Sequence, residues 1–443
     1  KTDRKNTMQL CSFLPINVLI FVLLICSQFL SAKPQKEFDA KERQALDWLK
    51  QHESNAIDEL RRHVEVNTGT LNIEGLDLYR ELLAGELKKL GFTTSEHGNE
   101  PIEVLSCARE TLRFADHLVG RRTGAKKTKL LLNGHMDTVF GRDDSFQTLE
   151  VGSDGILRGP GVADMKGGIV ALLQALRALH ATGALEQSNL TVLFNSDEEM
   201  GSLGSRPLIE ALAREHDIGM VFESSYNNKM THARKGLGQA RLRVSGRESH
   251  AGAAHEDGVS ANLALAHKVI EIEKLTNYDK KNTVNVGTMS GGEKRNTIAG
   301  CAEAYVDMRY PSQQAGEQLK HSMATIAAEK TTPNARYPGL PQTEFWAKLH
   351  RPVKPPHKTV DALIEQARKL STQLGEPITG IRYAGGGTDG SIAQAVGLPT
   401  IDSIGVDGVG AHSSREASTV ESFHARTRLI TLLIMRQLDA PPR

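Results

Sequence analysis

Two hydrophobic periodicities divide the chain. Up to about Asn228, short apolar runs alternate with helix-like stretches: Thr128–Leu132, Leu190–Phe194 and Met220–Phe222 are apolar almost throughout. Runs of that kind predict strands buried on both faces of a parallel sheet. Between the first two, Gly167–Ala181 repeats its apolar positions at helical spacing. After Gly236 the period becomes two. Ala240, Leu242 and Val244 alternate with Gln239, Arg241, Arg243 and Ser245, and Ala302, Ala304, Val306 and Met308 alternate with Glu303, Tyr305, Asp307 and Arg309. Such alternation predicts a sheet with one wet face. Helical stretches at Val259–Leu275 and Gln314–Lys330 give this part a β-α-β-β-α order. The proline-rich Pro352–Pro356 reads as a linker. A helix (Val360–Leu374), a glycine-rich turn (Gly385–Gly390), a strand (Thr400–Ile404) and a helix (Val420–Leu438) then resume the first style.

The pattern predicts an α/β fold: a mixed, mostly parallel sheet flanked by helices, interrupted by a small antiparallel sheet covered by two helices. The expected divisions are 1–32, a signal peptide; 33–235, the first part of the main domain; 236–349, the insertion; and 350–443, the second part. A chain of 443 residues exceeds what one core usually serves. Hydrophobic residues make up 39% and the formal net charge is +1, with both signs interspersed, so a nucleic-acid surface or a polybasic membrane patch is not expected.

The leader changes the picture of where the protein works. Lys1, Arg4 and Lys5 precede the apolar run Val18–Ile25, and the segment closes on Leu30-Ser31-Ala32. This predicts a secretory signal peptide cleaved near Ala32, and hence a periplasmic or secreted protein with no stable membrane insertion afterwards. A start at Met8 would weaken the basic region, and an uncleaved leader would leave an anchor. Cys11 and Cys26 fall in that leader, while Cys107 and Cys301 are far apart and assigned to different domains. No disulfide stapling is expected.

Five segments place His, Asp or Glu just past an apolar run or in a glycine-rich turn. They are Gly134–Asp137, Gly161–Gly168, Ser196–Glu199, Phe222-Glu223 and Gly410–Ser413. Alone, each has an ordinary reading: a turn for His135-Met136-Asp137, an acidic helix start for Glu198-Glu199, close helix packing for Gly167-Gly168, and a loop histidine at position 412. Together they supply the nitrogen and carboxylate donors that zinc accepts in catalytic sites. His135, Asp164, Glu199, Glu223 and His412 would give each of two zincs one private histidine, one private glutamate and a share of the aspartate. Glu198, beside a ligand, is then placed as a general base over a water. Asp137 can hydrogen-bond the His135 nitrogen that faces away from the metal.

In that order the residues resemble the zinc carboxypeptidase and deacylase family, peptidase family M20, and within it the bacterial glutamate carboxypeptidase branch. The carrying motifs are LLLNGHMDTVF, LRGPGVADMKGG, LTVLFNSDEEMGSLGSR, ESHAGAAHEDGVSAN and GGGTDG, and the likeness runs from about Ala40 to the last helix. The resemblance implies a zinc-peptidase catalytic domain with an inserted ferredoxin-like α+β lid that also dimerises. It implies two Zn(2+) per chain, one held by His135 and Glu223, the other by Glu199 and His412, with Asp164 bridging. Glu198 would be the base and Asp137 would orient His135. From the lid, His250 would reach a substrate oxygen, commonly across a homodimer, and Asn296 and Arg309 would contact the substrate carboxylate; Gly387 and Thr388 would border the substrate. An arginine on the polar side of a strand suits carboxylate recognition, although a surface pair with Asp307 or Glu303 would also explain Arg309.

Two departures bear on specificity. Ser224 stands where that branch tends to have proline, and Asn227–Lys235 looks unlike it. The expected activity is removal of a C-terminal residue, glutamate first, from N-acyl or peptidyl substrates, folate-like ones included. An N-acyl-amino-acid deacylase and a non-catalytic exported binding protein are the alternatives.

Overall fold

The computed structural model describes residues 38–332 and 334–440, so the expected signal peptide lies outside the described residues. Asp39 opens the first helix, Ala40–Val64 (α1): its carboxylate accepts the Glu42 N–H, and the Glu42 side chain accepts the Asp39 N–H in return. That exchange satisfies donors a helix start would otherwise leave bare. Strands Thr93–His97 (β1), His117–Arg122 (β2) and Lys129–His135 (β3) follow. Helix Lys166–Ala181 (α2) is apolar and buried over most of its length. A Cβ at Gly168 would lie 2.0 Å from the Phe222 carbonyl oxygen, so only glycine lets this helix start against the sheet. Strands Asn189–Asn195 (β4) and Ile218–Val221 (β5) complete the first part.

The insertion comprises Gly236–Ser245 (β6), Ala261–Glu273 (α3), Thr283–Gly291 (β7), Cys301–Tyr310 (β8), Gln313–Ala328 (α4) and Gln342–Arg351 (β9). The last strand was not in the expected order. Phe345, Ala347 and Leu349 pack on the core, while the apolar Trp346 stands among Glu344 and Lys348 on the other face and interrupts the alternation. With it the unit reads β-α-β-β-α-β, an antiparallel sheet of order β7-β8-β6-β9, the ferredoxin-like arrangement. Leu242, Val244, Ala304 and Val306 pack with Leu265, Leu319 and Met323 of the two helices in a core of its own.

After β9 the chain returns through Lys358–Gln373 (α5), Thr400–Ile401 (β10) and Val420–Leu438 (α6). The main sheet is six-stranded, in the order β1-β2-β4-β3-β5-β10. β1, β2 and β4 pair antiparallel, whereas β4, β3, β5 and β10 pair parallel. The C-terminal ends of the parallel strands open on one side, where ligand sites gather in sheets of this kind. Among the described residues, no helix is long and apolar enough to cross a membrane.

One expectation is overturned. Cys107 and Cys301 form a disulfide, with Cα atoms 6.3 Å apart. A short hairpin, Ile102–Glu103 with Thr111–Leu112, carries Cys107 from the main domain onto the insertion's sheet. There the Cys107 N–H donates to Glu303, and Arg109 pairs with Glu344 at 3.3 Å. The separation of 194 residues hid the contact, although two cysteines remaining in a chain expected to be exported were themselves a sign.

Candidate metal centre

β3 runs on past its apolar core to His135, so the imidazole is the strand's last side chain and is buried. His135 Nδ1 lies 2.9 Å from the Asp137 main-chain oxygen. A carbonyl only accepts, so Nδ1 carries the proton and Nε2 is left to face the site. Nε2 lies 3.2 Å from Asp164 Oδ1 and 3.5 Å from Glu223 Oε1. Opposite, His412 Nε2 lies 3.4 Å from Asp164 Oδ2 and 3.1 Å from Glu199 Oε2. The two oxygens of Asp164 are thus divided between two imidazoles, each with its own glutamate. Donor atoms of His135, Asp164 and Glu199, and of His135, Glu198 and Glu223, lie within 4.8 Å of one another.

Asp137 meets the His135 ring through two groups. The main hydrogen bond to the His135 ring comes from its carbonyl, while Asp137 Oδ1 stands 3.4 Å from Nδ1. Its carboxylate also accepts the N–H groups of Glu198 and Glu199, each at 3.1 Å, and the Thr70 hydroxyl at 2.9 Å. It therefore fixes the turn that presents the proposed base and its neighbouring ligand.

As side chains alone the cluster is overloaded with negative charge. Burial first, and Asp164 next, push Glu199 up to about 7; the same causes raise Glu223, and burial raises Glu198 well above its usual range. Asp164 stays low despite burial because, with no cation between them, His135 and His412 take up a second ring proton and donate to it. Hydrogen bonds to Asp164 and Glu199 push His412 up to about 11. Carboxylates held together against burial and repulsion, with imidazoles interleaved, are what a divalent cation neutralises. The residues fit a metal.

With this geometry in place, comparison with known proteins is direct. The family model described as Peptidase family M20/M25/M40 matches residues 131–436. The chain belongs to this family. It is 30% identical over 383 residues to carboxypeptidase G2 of Pseudomonas sp. (strain RS-16), covering 86% of this chain and 88% of that one. To acetylornithine deacetylase of Proteus mirabilis (strain HI4320) it is 28% identical over 367 residues, covering 74% and 87%. In fold it is similar to the M20 family metallo-carboxypeptidase Sso-CP2 from Sulfolobus solfataricus, with a TM-score of 0.66, 16% identity and coverage of 87% and 99%. The chain is therefore a peptidase-family hydrolase of the metal-dependent type.

Within this M20 member, the expected substrate residues fall in two places. Arg309, Gly387 and Thr388 line a cleft of about 310 Å³ together with Glu198, Glu199 and His412, and Ser224 lines it too. Arg309 Nε pairs with Asp307 at 2.7 Å, the surface pair that the sequence allowed, while the residue also lines the cleft. The Thr388 hydroxyl donates to Asp402, and the space beside Gly387 is taken by Arg351 rather than left open: a Cβ there would lie 2.5 Å from Arg351 Cδ. His250 and Asn296 are exposed on the insertion and are not among the residues lining the cleft of their own chain. The Ala251 N–H donates to the Asn296 carbonyl at 2.9 Å, which keeps the two residues side by side.

Sequence reading missed a buried frame around this cleft. Arg234 forms a two-pronged pair with Asp402, at 2.7 and 2.6 Å, and donates to the Gly386 carbonyl. Glu416 accepts the N–H groups of Gly161, Ala163 and Asp164. Arg351 bridges Glu198 and Asp389. Nothing in the local sequence marks Arg351, since its partners lie at distant positions in the chain.

Proposed function

We propose that this protein is a two-zinc exopeptidase that cleaves the amide bond to a C-terminal amino acid, glutamate first, of N-acyl or peptidyl substrates. The observation that carries the reading is the division of the Asp164 carboxylate between His135 with Glu223 and His412 with Glu199. His135, Asp164, Glu199, Glu223 and His412 would hold the metal, which would supply an acidified water and Lewis-acid polarisation of the scissile carbonyl. Glu198 takes the water's proton and returns it to the departing amine. Arg309, on the cleft wall, holds the free carboxylate by a paired hydrogen bond. The name of the Pseudomonas relative, a carboxypeptidase, supports the reaction class.

His250 and Asn296, side by side but outside their own chain's cleft, support a homodimer in which the insertion completes the partner's site. Leu263 and Ile270 on α3 and Met289 on the edge strand β7 are exposed and offer the apolar surface for it. The Cys107–Cys301 disulfide supports export to an oxidising compartment.

A second reading keeps the chemistry and changes the acyl group: an N-acyl-amino-acid deacylase, favoured by the similarity to acetylornithine deacetylase. A non-catalytic binding role is disfavoured because every proposed ligand and Glu198 are present. A hydrolysis panel of acyl-glutamate, folate-like and acetyl-amino-acid substrates decides, run before and after chelation and zinc return. Release of glutamate that chelation abolishes and zinc restores is expected. Turnover of acetyl-amino acids alone would select the deacylase, and full activity after metal removal would end both readings.

A further inference from the structure

Arg351 is the last residue of β9, the strand by which the chain leaves the insertion, and its side chain is among the largest fully buried in the protein. Nη2 lies 2.6 Å from Glu198 Oε1 and donates to the Glu198 main-chain oxygen at 2.7 Å. Nη1 donates to Asp389 Oδ1 at 3.0 Å, and that oxygen also accepts the Ser202 hydroxyl at 2.5 Å. The guanidinium therefore grips carboxylate and backbone of one residue while a second carboxylate holds its other prong. A planar fork makes that set of bonds and a lysine ammonium does not.

The junction itself is tied at a point. Leu237, near the start of β6, pairs in register with Arg351. The buried Tyr310 hydroxyl at the end of β8 lies 2.9 Å from the Arg351 carbonyl oxygen and 3.1 Å from that of Leu237. The strands entering and leaving the insertion thus converge on the residue that touches Glu198.

We propose that Arg351 is a positioning residue that sets the Glu198 carboxylate from this junction, so that base geometry depends on how the insertion is seated. The inference rests on the reading of Glu198 as the base. Substrate recognition is the competing use of an arginine here. However, the Arg351 side chain is 2% exposed with both prongs occupied, whereas Arg309, 32% exposed, faces the same cleft.

The test compares zinc-loaded wild type with Arg351→Lys, Arg351→Gln and Glu198→Ala for kcat, KM, bound metal and thermal midpoint. Arg351→Gln should lower kcat about 100-fold, the lower end of what a positioned base contributes, and Arg351→Lys about 10-fold. KM and bound metal should stay within about twofold. The midpoints of Arg351→Lys, Glu198→Gln and the double variant should also be non-additive, as for groups in direct contact. Should the Gln variant not fold, the Lys variant decides. Unchanged kcat, additive midpoints, or a KM rise at constant kcat would overturn the proposal. Turnover retained by Glu198→Ala would instead remove the base reading beneath it.

Discussion

The Asp137 carboxylate accepts the backbone N–H of Glu198 at 3.1 Å, and its other oxygen accepts that of Glu199 at the same distance. Two residues after a proposed ligand, one side chain thus holds the turn that carries another ligand and the proposed base. The Thr70 hydroxyl donates to the same carboxylate at 2.9 Å, so Asp137 is fixed in turn by the segment after α1.

Asp137→Asn tests that arrangement, because an amide offers one accepting oxygen where two N–H donors point. The expected outcome is a fall of about 10- to 100-fold in kcat, the range for partners that orient metal ligands. Metal affinity, measured by chelator competition, should fall less. Thr70→Ala removes a single bond and should cost about 1 kcal/mol of stability with a smaller loss of turnover. A wild-type kcat in Asp137→Asn would show that the turn holds itself.

Much of the site was legible because its donors stand at strand ends. His135, Glu223 and the Ser196–Glu199 segment each follow an apolar run, and a buried parallel strand brings its C-terminal residue to one edge. What stayed hidden was long-range. Arg351 meets Glu198 across 153 positions and Glu416 meets Asp164 across 252, distances over which no periodicity speaks. The disulfide failed for the same reason: the sequence assigns Cys107 and Cys301 to separate units, and only the docked hairpin joins them. Strand β9 is different: Phe345, Ala347 and Leu349 face the insertion's core and alternate with Glu344, Trp346 and Lys348, so a period-two signal was present there, broken only by the apolar Trp346 on the outer face.

The disulfide closes a loop of 194 residues, for which chain entropy gives about 5 kcal/mol as an upper figure. Replacing both cysteines by serine should cost about 2–4 kcal/mol. In thermal melts, reductant should lower the wild-type midpoint and leave the double-serine variant unmoved. Equal midpoints for oxidised wild type and the variant would mean that the hairpin's contacts with Glu303 and Glu344 suffice.

Acid should destabilise the fold through buried histidines that are not among the proposed metal ligands. Burial pushes His117 down to about 4 and His350 down to about 3. His117 Nδ1 accepts the Ser196 N–H at 3.3 Å, which keeps the ring neutral. Below pH 6.5 the unfolded chain takes up protons that the folded one refuses, so stability present above that pH is lost as pH falls toward 4. For His117 the loss is roughly 3 kcal/mol. Melting curves from pH 7 to pH 4 should show the decline, and His117→Asn should flatten it. A slope unchanged by that substitution would assign the acid sensitivity elsewhere.

Glu416 is fully buried, and it spends its carboxylate on the loop that carries Asp164. Oε1 accepts the N–H groups of Ala163 and Asp164 at 2.8 and 2.9 Å, and Oε2 accepts that of Gly161 at 3.2 Å. Burial and the nearby Asp164 charge push Glu416 up to about 7, so the loop is held at an electrostatic cost against which its three bonds act. Glu416→Gln keeps the shape but turns an amide N–H toward a backbone donor. At least one bond is lost, and Asp164, the proposed shared ligand, shifts relative to both imidazoles. Metal affinity should therefore fall about 10- to 100-fold, with kcat recovered at high free zinc and KM little changed. Asp137→Asn should behave in the opposite way, losing turnover that added zinc does not restore. Wild-type zinc affinity in Glu416→Gln would show that the Asp164 loop keeps its shape without the clamp.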